Sequence, residues 1–367
     1  MNREPAATKA LRIAVVTDAW FPQTNGVVRT LNRTAEQLRT WGHEVLVIEP
    51  GQFRTFPCPT YPEIRLAWLP YRSIDRRLRE FDPQAVHIAT EGTLGAAARK
   101  WCLRQKRPFT TSYHTQFPEY IRARLPIPLS LSYAHLRNFH GAAARTMVAT
   151  ATMQRQLESR GFKNIVRWTR GVDTDLFKPG AKEFLEFSRP IAAYTGRVAV
   201  EKNIEAFLSF EWPGTKLIIG DGPARTALQA KYPRVQFVGY KFGEELASHI
   251  AAADVFVFPS RTDTFGLVLL EAMACAVPVA AYPVTGPVDV VQHGSTGFLS
   301  EDLREAALQA LKLSPQVCRD HALQHTWEHA SLQFLNNLAL HTHPHLPLNA
   351  PARISASRAS SLRPRAR

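Results

Sequence analysis

The sequence predicts an α/β protein made of two domains, each with a doubly wound parallel sheet. Short apolar runs, typical of strands buried on both faces, alternate along the chain with longer segments whose apolar residues recur at helical spacing. The chain of 367 residues is long enough for two domains, each with its own core. Its 45% hydrophobic and 21% charged residues are ordinary for a soluble globular protein.

The first half of the chain opens on a unit of strand, loop, helix and strand. Leu31, Ala35 and Leu38 recur at helical spacing and predict the buried face of that helix. The predicted strands of this half are 12–17, 44–48, 85–88, 109–112 and 146–149, and its helices are 28–41, 95–105 and one ending near 160. No Gly-x-Gly-x-x-Gly pattern follows the first strand, which argues against a dinucleotide cofactor.

The second half repeats the alternation of strands and helices. Its predicted strands are 191–195, 216–220, 236–238, 254–258, 277–282 and 297–300, and its helices are 267–276, 303–313 and 318–341. Segment 184–190 has the periodicity of neither a strand nor a helix. We therefore expect the hinge between the two domains at 178–190.

The stretch 254–278 has the densest set of candidate site residues. Its apolar strand stops at Pro259, several capping side chains follow, and Gly266 lets a ligand approach the backbone where the next helix begins. Free N–H groups at such a helix start favour a phosphate. Asp263 and Glu271 are separated by seven residues. On one continuous helix they would lie roughly 80° apart, so a shared ligand requires Asp263 on the loop and Glu271 inside the helix.

Two basic residues and one histidine follow other predicted strands. Arg197 and Lys202 lie at a helix start, where a forked guanidinium and a point charge suit a diphosphate. His114 follows strand 109–112, at the sheet edge where α/β domains bind ligands. Taken alone, a single histidine in this position is more often structural than functional.

Five strings in the same order resemble a known family, the GT-B retaining glycosyltransferases of family 4. The carboxylate pair lies over a TFGL loop and is followed by EAMA and PV. The other four features are the strand, loop, helix, Gly-His, strand unit at 12–48, RGVDTDLF at 170–177, GRVAVEKN at 196–203 and GDGP at 220–223. The resemblance covers about residues 11–340. It implies two Rossmann-like domains that face a central cleft.

The resemblance also implies a domain division and a set of site residues. The acceptor-side domain would be 1–178 and the nucleotide-sugar domain 179–340, with its last helix packing back on the first domain. The catalytic residues it implies are His114, Arg197, Lys202 and Asp263. The substrate-binding residues it implies are Asn25, Gly26, Gly196, Gly222, Val238, Tyr240, Thr264, Phe265, Gly266, Leu267 and Glu271. Within this set, Glu271 is expected to hold donor hydroxyls and Asp263 the hexose.

Two positions depart from the family pattern. Asn25-Gly26 stands where two glycines are usual, and we expect the turn to survive because Asn tolerates the left-handed backbone. Ala276 stands where Gly is usual, and we expect it to tighten the packing without affecting the chemistry.

The activity implied by the resemblance is transfer of a hexose from a nucleotide-diphosphate sugar to a hydroxyl group, with retention of anomeric configuration. UDP-glucose, UDP-glucuronate and GDP-mannose all remain possible donors at this point. No cofactor and no metal is expected, because two cations and a helix start replace the metal. The alternative is a catalytically inactive nucleotide-sugar-binding protein of the same fold.

The charge distribution bears on the acceptor. Residues 1–180 have 27 Lys and Arg against 14 Asp and Glu, a net charge of +13, whereas residues 181–340 have 13 against 17, a net charge of −4. A basic acceptor-side domain suits a lipid in an anionic membrane, so we expect a lipid acceptor such as diacylglycerol. A general bias toward arginine is the alternative explanation. Nucleic acid is not an expected partner, because no nucleic-acid-binding motif accompanies the charge.

Segment 118–145 is the candidate for membrane contact. It combines Tyr120, Tyr133 and Phe139 with Arg122, Arg124, Arg137 and Arg145. A basic amphipathic helix at the membrane interface and a core helix with a solvated face both fit this pattern.

The remaining expectations concern location. No apolar run is long enough to span a membrane, and MNREPAATKA lacks the apolar core of a signal peptide. We therefore expect a cytoplasmic protein, peripheral on the inner face of the plasma membrane. The four dispersed cysteines predict reduced thiols, and tail 341–367, with five Arg and no acidic residue, predicts a disordered basic segment.

Overall fold

The computed structural model describes residues 10–23, 25–58, 61–124 and 127–341. The side chains of residues 61–63, 120, 121, 123 and 124 lie outside that description, and so does the predicted disordered tail from residue 342 onward. Two six-stranded sheets organise the chain, and every strand pairing within them is parallel.

The first domain is built on a sheet of order β2-β1-β5-β6-β7-β8, with an antiparallel hairpin, β3 and β4, beside it. Its strands are β1 (Arg12–Val16), β2 (Glu44–Ile48), β3 (Thr55–Cys58), β4 (Tyr61–Ala67), β5 (Ala85–Ile88), β6 (Thr110–Tyr113), β7 (Arg145–Val148) and β8 (Ile165–Arg167). Its helices are α1 (Gly26–Thr40), α2 (Tyr71–Phe81), α3 (Thr93–Arg104), α4 (Phe117–Arg124), α5 (Leu129–Gly141) and α6 (Ala151–Ser159).

The second domain is built on a sheet of order β11-β10-β9-β12-β13-β14. Its strands are β9 (Ile191–Thr195), β10 (Thr215–Ile219), β11 (Gln236–Gly239), β12 (Val255–Phe258), β13 (Val279–Ala281) and β14 (Gly297–Leu299). The helices after β9 are α7 (Ile204–Ser209), α8 (Arg225–Lys231), α9 (Gly243–Ala252), α10 (Leu267–Ala274), α11 (Pro287–Val290), α12 (Leu303–Ala310), α13 (Pro315–Leu323) and α14 (Trp327–Asn337). The predicted fold class, two doubly wound α/β domains, is confirmed.

The burial of the strands explains this architecture. Strands β5, β9 and β12 are buried at every position, because helices cover both faces of each parallel sheet. Helix α1 buries one face, including Leu31, Ala35 and Leu38, as its spacing predicts.

The end of the chain differs from the predicted single helix at 318–341. It forms two helices, α13 and α14, and Thr326 caps the second by accepting a hydrogen bond from the His329 backbone N–H. The Val172 N–H donates to the His325 carbonyl and so fixes the segment between the two helices. After the break, α14 packs against α1, and Phe334 is buried in the core of the first domain.

Segment 118–145 forms two helices, α4 and α5, and of the two alternatives the core helix describes α5. Tyr133 and Phe139, expected as interfacial anchors, are only 3% and 6% exposed, and both pack inside the first domain. Arg137 donates to the Arg160 carbonyl. The apolar stripe of α5 therefore belongs to the core. The Tyr120 and Arg124 side chains lie outside the described residues, and none of the described helices could cross a bilayer.

The structure shows the backbone conformation at both departures from the family pattern. Asn25 is extended, with φ −146°, and its side chain caps α1 by accepting from the Val27 and Val28 N–H groups. A left-handed backbone is therefore not what makes Asn suitable there. Ala276 has φ +58°, a conformation in which its Cβ is strained.

Candidate functional site

The candidate site lies where the carboxyl ends of strands from both sheets meet. His114 follows β6 of the first domain, whereas Asp263 and Thr264 lie on the loop after β12 of the second. The Thr264 hydroxyl donates to the His114 carbonyl at 2.7 Å, so the two loops touch across the domain boundary. The carboxyl edge of a parallel sheet is where α/β domains bind ligands.

The Lys202 and Asp263 side chains form the central ion pair of the site. Lys202 Nζ lies 2.6 Å from Asp263 Oδ1, and both side chains are mostly buried. Arg197, the second predicted cation, lies on the same loop, with its guanidinium 3.5 Å from a Glu201 carboxylate oxygen. This loop therefore brings one ammonium and one guanidinium group to the carboxyl edge of the sheet, as a diphosphate site requires.

Helix α10 begins at this loop. Gly266 has φ +83°, which favours glycine, and it places Phe265 and Leu267 around the free N–H groups of the helix start. Asp263 stays on the loop and Glu271 lies inside the helix, the arrangement that their spacing requires for a shared ligand. Glu271 is buried, and its Oε1 forms an ion pair with Arg29 Nη2 of α1 at 2.5 Å.

Asn25 and Gly26 lie on the first-domain side of the same boundary. A Cβ at Gly26 would lie 3.5 Å from the Leu267 side chain, so the start of α1 faces the start of α10. Asn25 is the cap of α1, which gives it a structural role independent of any ligand.

His114 is held by a residue absent from the predicted set. Arg170 Nη2 lies 3.2 Å from His114 Nδ1, and the Trp168 ring packs against the imidazole at a centroid distance of 5.7 Å. Burial, followed by the positive charge of Arg170, lowers the pKa of His114 well below its ordinary value. The imidazole is therefore neutral at physiological pH.

Four buried polar atoms of this region have no hydrogen-bond partner among the described residues. They are His114 Nε2, Ser260 Oγ, Asp263 Oδ2 and Glu271 Oε2. These four atoms are therefore available to a polar ligand.

Gly222, Val238 and Tyr240 lie at neighbouring strand ends of the second domain. A Cβ at Gly222 would lie 2.4 Å from the Val198 carbonyl oxygen, so packing between loops already requires a glycine there. Gly196, at the end of β9, lies in the adjoining loop. Val238 is in β11, and the exposed Tyr240 ring stacks on Phe242 at 6.1 Å. These residues lie beside the ion pair rather than within it.

Sequence reasoning missed Arg29 and Arg170. Arg29 is four residues after Asn25, so helical spacing could have placed it one turn from the helix start. Arg170 opens the RGVDTDLF string, but no spacing in the sequence relates it to His114, because the two residues are 56 positions apart. No three His, Cys, Asp or Glu side chains in the described part of the chain are grouped to hold a metal ion. Metal independence stays a prediction.

Comparison with known proteins agrees with this geometry. Residues 24–176 match a family model described as Glycosyltransferase Family 4, and residues 189–314 match one described as Glycosyl transferases group 1. A GDP-mannose-dependent alpha-mannosyltransferase of Mycobacterium tuberculosis is 33% identical over 316 residues, which are 79% of this chain and 83% of that protein. An alpha-monoglucosyldiacylglycerol synthase of Streptococcus pneumoniae is 25% identical over 85% of this chain and 81% of its own length.

A solved structure supports the fold. Sucrose-phosphate synthase from Thermosynechococcus elongatus superposes with a TM-score of 0.69 at 21% identity, covering 89% of this chain and 98% of that one. With two facing α/β domains, a cation and carboxylate pair at their junction, and these matches over most of its length, the chain belongs to the family 4 glycosyltransferases of GT-B fold, enzymes that use a nucleotide sugar.

Proposed function

We propose that this enzyme transfers a hexose from a nucleotide-diphosphate sugar to a hydroxyl group of a membrane lipid, with retention of anomeric configuration. The observation that supports it most directly is the Lys202–Asp263 pair at the start of α10. It brings a cation for the leaving phosphate and a carboxylate for the sugar to the same point. Asp263 Oδ2 is buried there without a protein partner in the described chain, so it is available to a sugar hydroxyl.

The reaction follows from these groups. The bond between the anomeric carbon and the phosphate oxygen breaks, which leaves an oxocarbenium-like carbon and a second negative charge on the terminal phosphate of the nucleotide diphosphate. Lys202, Arg197 and the N-terminal end of α10 stabilise that charge electrostatically. The acceptor hydroxyl attacks on the face that the phosphate leaves, and its proton passes to the departing phosphate oxygen. Retention then requires no covalent intermediate.

The donor is the part of this proposal to test first. The experiment is a turnover screen of UDP-glucose, UDP-glucuronate and GDP-mannose with diacylglycerol in anionic liposomes, with and without EDTA. GDP-mannose is the first choice, because a mannosyltransferase is the 33% identical relative. We expect one donor to be consumed with lipid product, equally in EDTA. Binding of a donor without hydrolysis or transfer would instead support the catalytically inactive alternative.

The proposed acceptor rests on the relative named for a diacylglycerol product and on one exposed surface of the first domain. Trp68 and Leu69 are 63% and 80% exposed. The Trp68 backbone N–H donates to the Arg54 carbonyl, which places an exposed arginine directly beside it. Exposed apolar residues flanked by cations suit an anionic bilayer better than they suit water.

Helices α2 and α3 extend this surface. The Lys100 ammonium and the Arg104 guanidinium lie 5.1 Å and 5.3 Å from the centre of the Tyr71 ring, two residues after Leu69. Arg72 is exposed in the same turn. We define the Trp68 face as Arg54, Trp68, Leu69, Arg72, Lys100 and Arg104. It replaces segment 118–145 as the proposed membrane contact, because the aromatic residues Tyr133 and Phe139 of that segment are buried.

A further inference from the structure

Arg170 is a buried cation without an acidic partner in the described part of the chain. The residue is 4% exposed, and its Nη1 donates to the carbonyl oxygens of Trp168 and Thr169 at 2.5 Å and 3.0 Å. Its guanidinium carbon lies 4.4 Å from the centre of the Trp168 ring. No Asp or Glu of the described residues lies within ion-pair distance of it. Burying such a charge is costly, so a residue of this kind is expected to have a use beyond stability.

The contact between Arg170 and His114 indicates what the buried guanidinium does. A guanidinium group only donates hydrogen bonds, so His114 Nδ1, 3.2 Å from Arg170 Nη2, must accept. The single proton of the neutral imidazole then resides on Nε2. Nε2 is buried and has no partner among the described residues. The His114 carbonyl accepts from the Thr264 hydroxyl, on the loop after β12.

We propose that Arg170 is a positioning residue that holds His114 as a neutral imidazole with its proton on Nε2, ready to donate a hydrogen bond to the transferred sugar. The hydrogen bond from His114 to the sugar rests on the proposed function. The arrangement of the Arg170 and His114 side chains does not. It follows that His114 is not a general base, because Nε2, the nitrogen without a protein partner, already has a proton.

The surroundings of His114 favour the same state. The charged and titratable groups around it are Arg170 from the segment after β8, His87 from β5 and His140 from α5, and each opposes a positive charge on the ring. His140 in turn contacts the Glu91 carboxylate at 3.1 Å. Trp168, itself fully buried, packs against the ring.

The first test reads the imidazole directly. Long-range proton–nitrogen NMR spectra of protein labelled with nitrogen-15 at histidine are compared between wild type and Arg170→Met, and the His114 signal is identified by its loss in His114→Asn. Arg167→Met, an exposed arginine of the adjoining strand, is the matched control. We expect a single tautomer protonated at Nε2 in wild type and in the control. In folded Arg170→Met we expect a mixture of tautomers and protonation at higher pH. An unchanged His114 signal in that variant overturns the proposal.

The second test reads turnover. In Arg170→Met the His114 imidazole is misoriented as a hydrogen-bond donor. We therefore expect kcat to fall roughly 10-fold to 100-fold with little change in the KM for the nucleotide sugar. We also expect kcat to fall further at acidic pH, where His114 becomes protonated. Arg170→Lys, which can still donate, should recover part of the loss. If the tautomer changes while kcat does not, the two side chains are arranged as inferred, but His114 has no role in the transfer. A loss of nucleotide binding together with kcat in His114→Asn would instead count against the site assignment itself.

Discussion

Lys202 is the single residue on which the proposed chemistry depends most. Its ammonium group lies 2.6 Å from Asp263 Oδ1, at the start of the helix where negative charge would develop. A cation placed there stabilises the transition state more than the bound donor, since the phosphate gains its second charge only as the bond breaks. The effect of removing it should therefore appear in turnover.

We expect Lys202→Ala to lower kcat by roughly two orders of magnitude or more, because one electrostatic stabiliser of the leaving group is lost. The measurement is steady-state turnover of the donor found by screening, with circular dichroism to verify folding. Lys231→Ala removes a lysine that pairs with Glu205 on the surface, and it should leave kcat unchanged. Near-normal turnover in Lys202→Ala would refute the assignment.

His87 provides a test of pH dependence. It is fully buried, its Nδ1 contacts the Thr110 hydroxyl at 2.9 Å and its Nε2 the Ser112 hydroxyl at 2.8 Å. Burial, with a smaller contribution from the charge of Arg170, lowers its pKa to about 3. Since the unfolded chain binds a proton near pH 6.5 and the folded chain does not, the stabilisation is complete above pH 6.5. It is lost progressively as the pH falls from there toward about 3.

We therefore expect the free energy of unfolding to fall between pH 7 and pH 5, and to fall less steeply in His87→Gln, where no group titrates. Urea unfolding at several pH values measures both slopes. His329→Gln, at an exposed position, is the control and should retain the wild-type slope. Equal slopes in wild type and His87→Gln would contradict the pKa direction.

At the scale of elements, the turn between α10 and β13 is locally strained. Ala276 has φ +58°, and a residue with a Cβ pays about 1 kcal/mol or more in that conformation, which glycine avoids. The strained turn directly follows α10, the helix that contains Glu271. Ala276 itself is not one of the candidate site residues.

Ala276→Gly should raise the free energy of unfolding by about 0.5–1 kcal/mol, because relief of strain exceeds the added entropy of the unfolded chain. The urea midpoint measures this. Ala96→Gly, at an exposed position inside α3, should do the opposite and cost about 1 kcal/mol. A lower midpoint for Ala276→Gly would show that the methyl group contributes more through packing than it costs through strain.

On the scale of the whole molecule, charge and exposure divide between the domains. The first 180 residues have a net charge of +13 and residues 181–340 have −4, and the Trp68 face lies entirely in the first domain. The chain crosses from the second domain back to the first at α14, and Arg29 reaches Glu271 across the boundary. An enzyme bound to a bilayer through the Trp68 face would therefore have its first, acceptor-side domain at the membrane.

Changing Arg72, Lys100 and Arg104 to Glu should release the enzyme from anionic liposomes. Each cation near such a surface contributes about 1 kcal/mol, so the loss should exceed roughly 100-fold in affinity while nucleotide binding stays unchanged. Liposome sedimentation at low and high salt measures it. The control changes Arg155, Lys163 and Arg167 to Glu, the same change in net charge at exposed positions elsewhere on the first domain. Equal losses in both triple variants would show that net charge, not this face, determines binding.

The sequence by itself determined the alternation of strands and helices, the fold class and the place of Asp263 and Glu271 on a loop and a helix. These follow from local properties: the length of apolar runs, the stop at Pro259 and the freedom of Gly266. Asn25 was identified at the start of α1, but its role as an extended cap depends on backbone geometry that composition does not specify.

Only the tertiary structure decided which residues far apart in the sequence meet, within one domain or across the two. Arg170 and His114 are 56 residues apart, and Arg29 reaches Glu271 from the other domain, so neither contact leaves a periodic signal in the sequence. The apolar stripe of α5 shows the same limit. An amphipathic pattern predicts that one face of a helix is shielded from water. Whether protein or lipid shields that face depends on the neighbouring helices and strands. In this protein the neighbouring elements bury Tyr133 and Phe139.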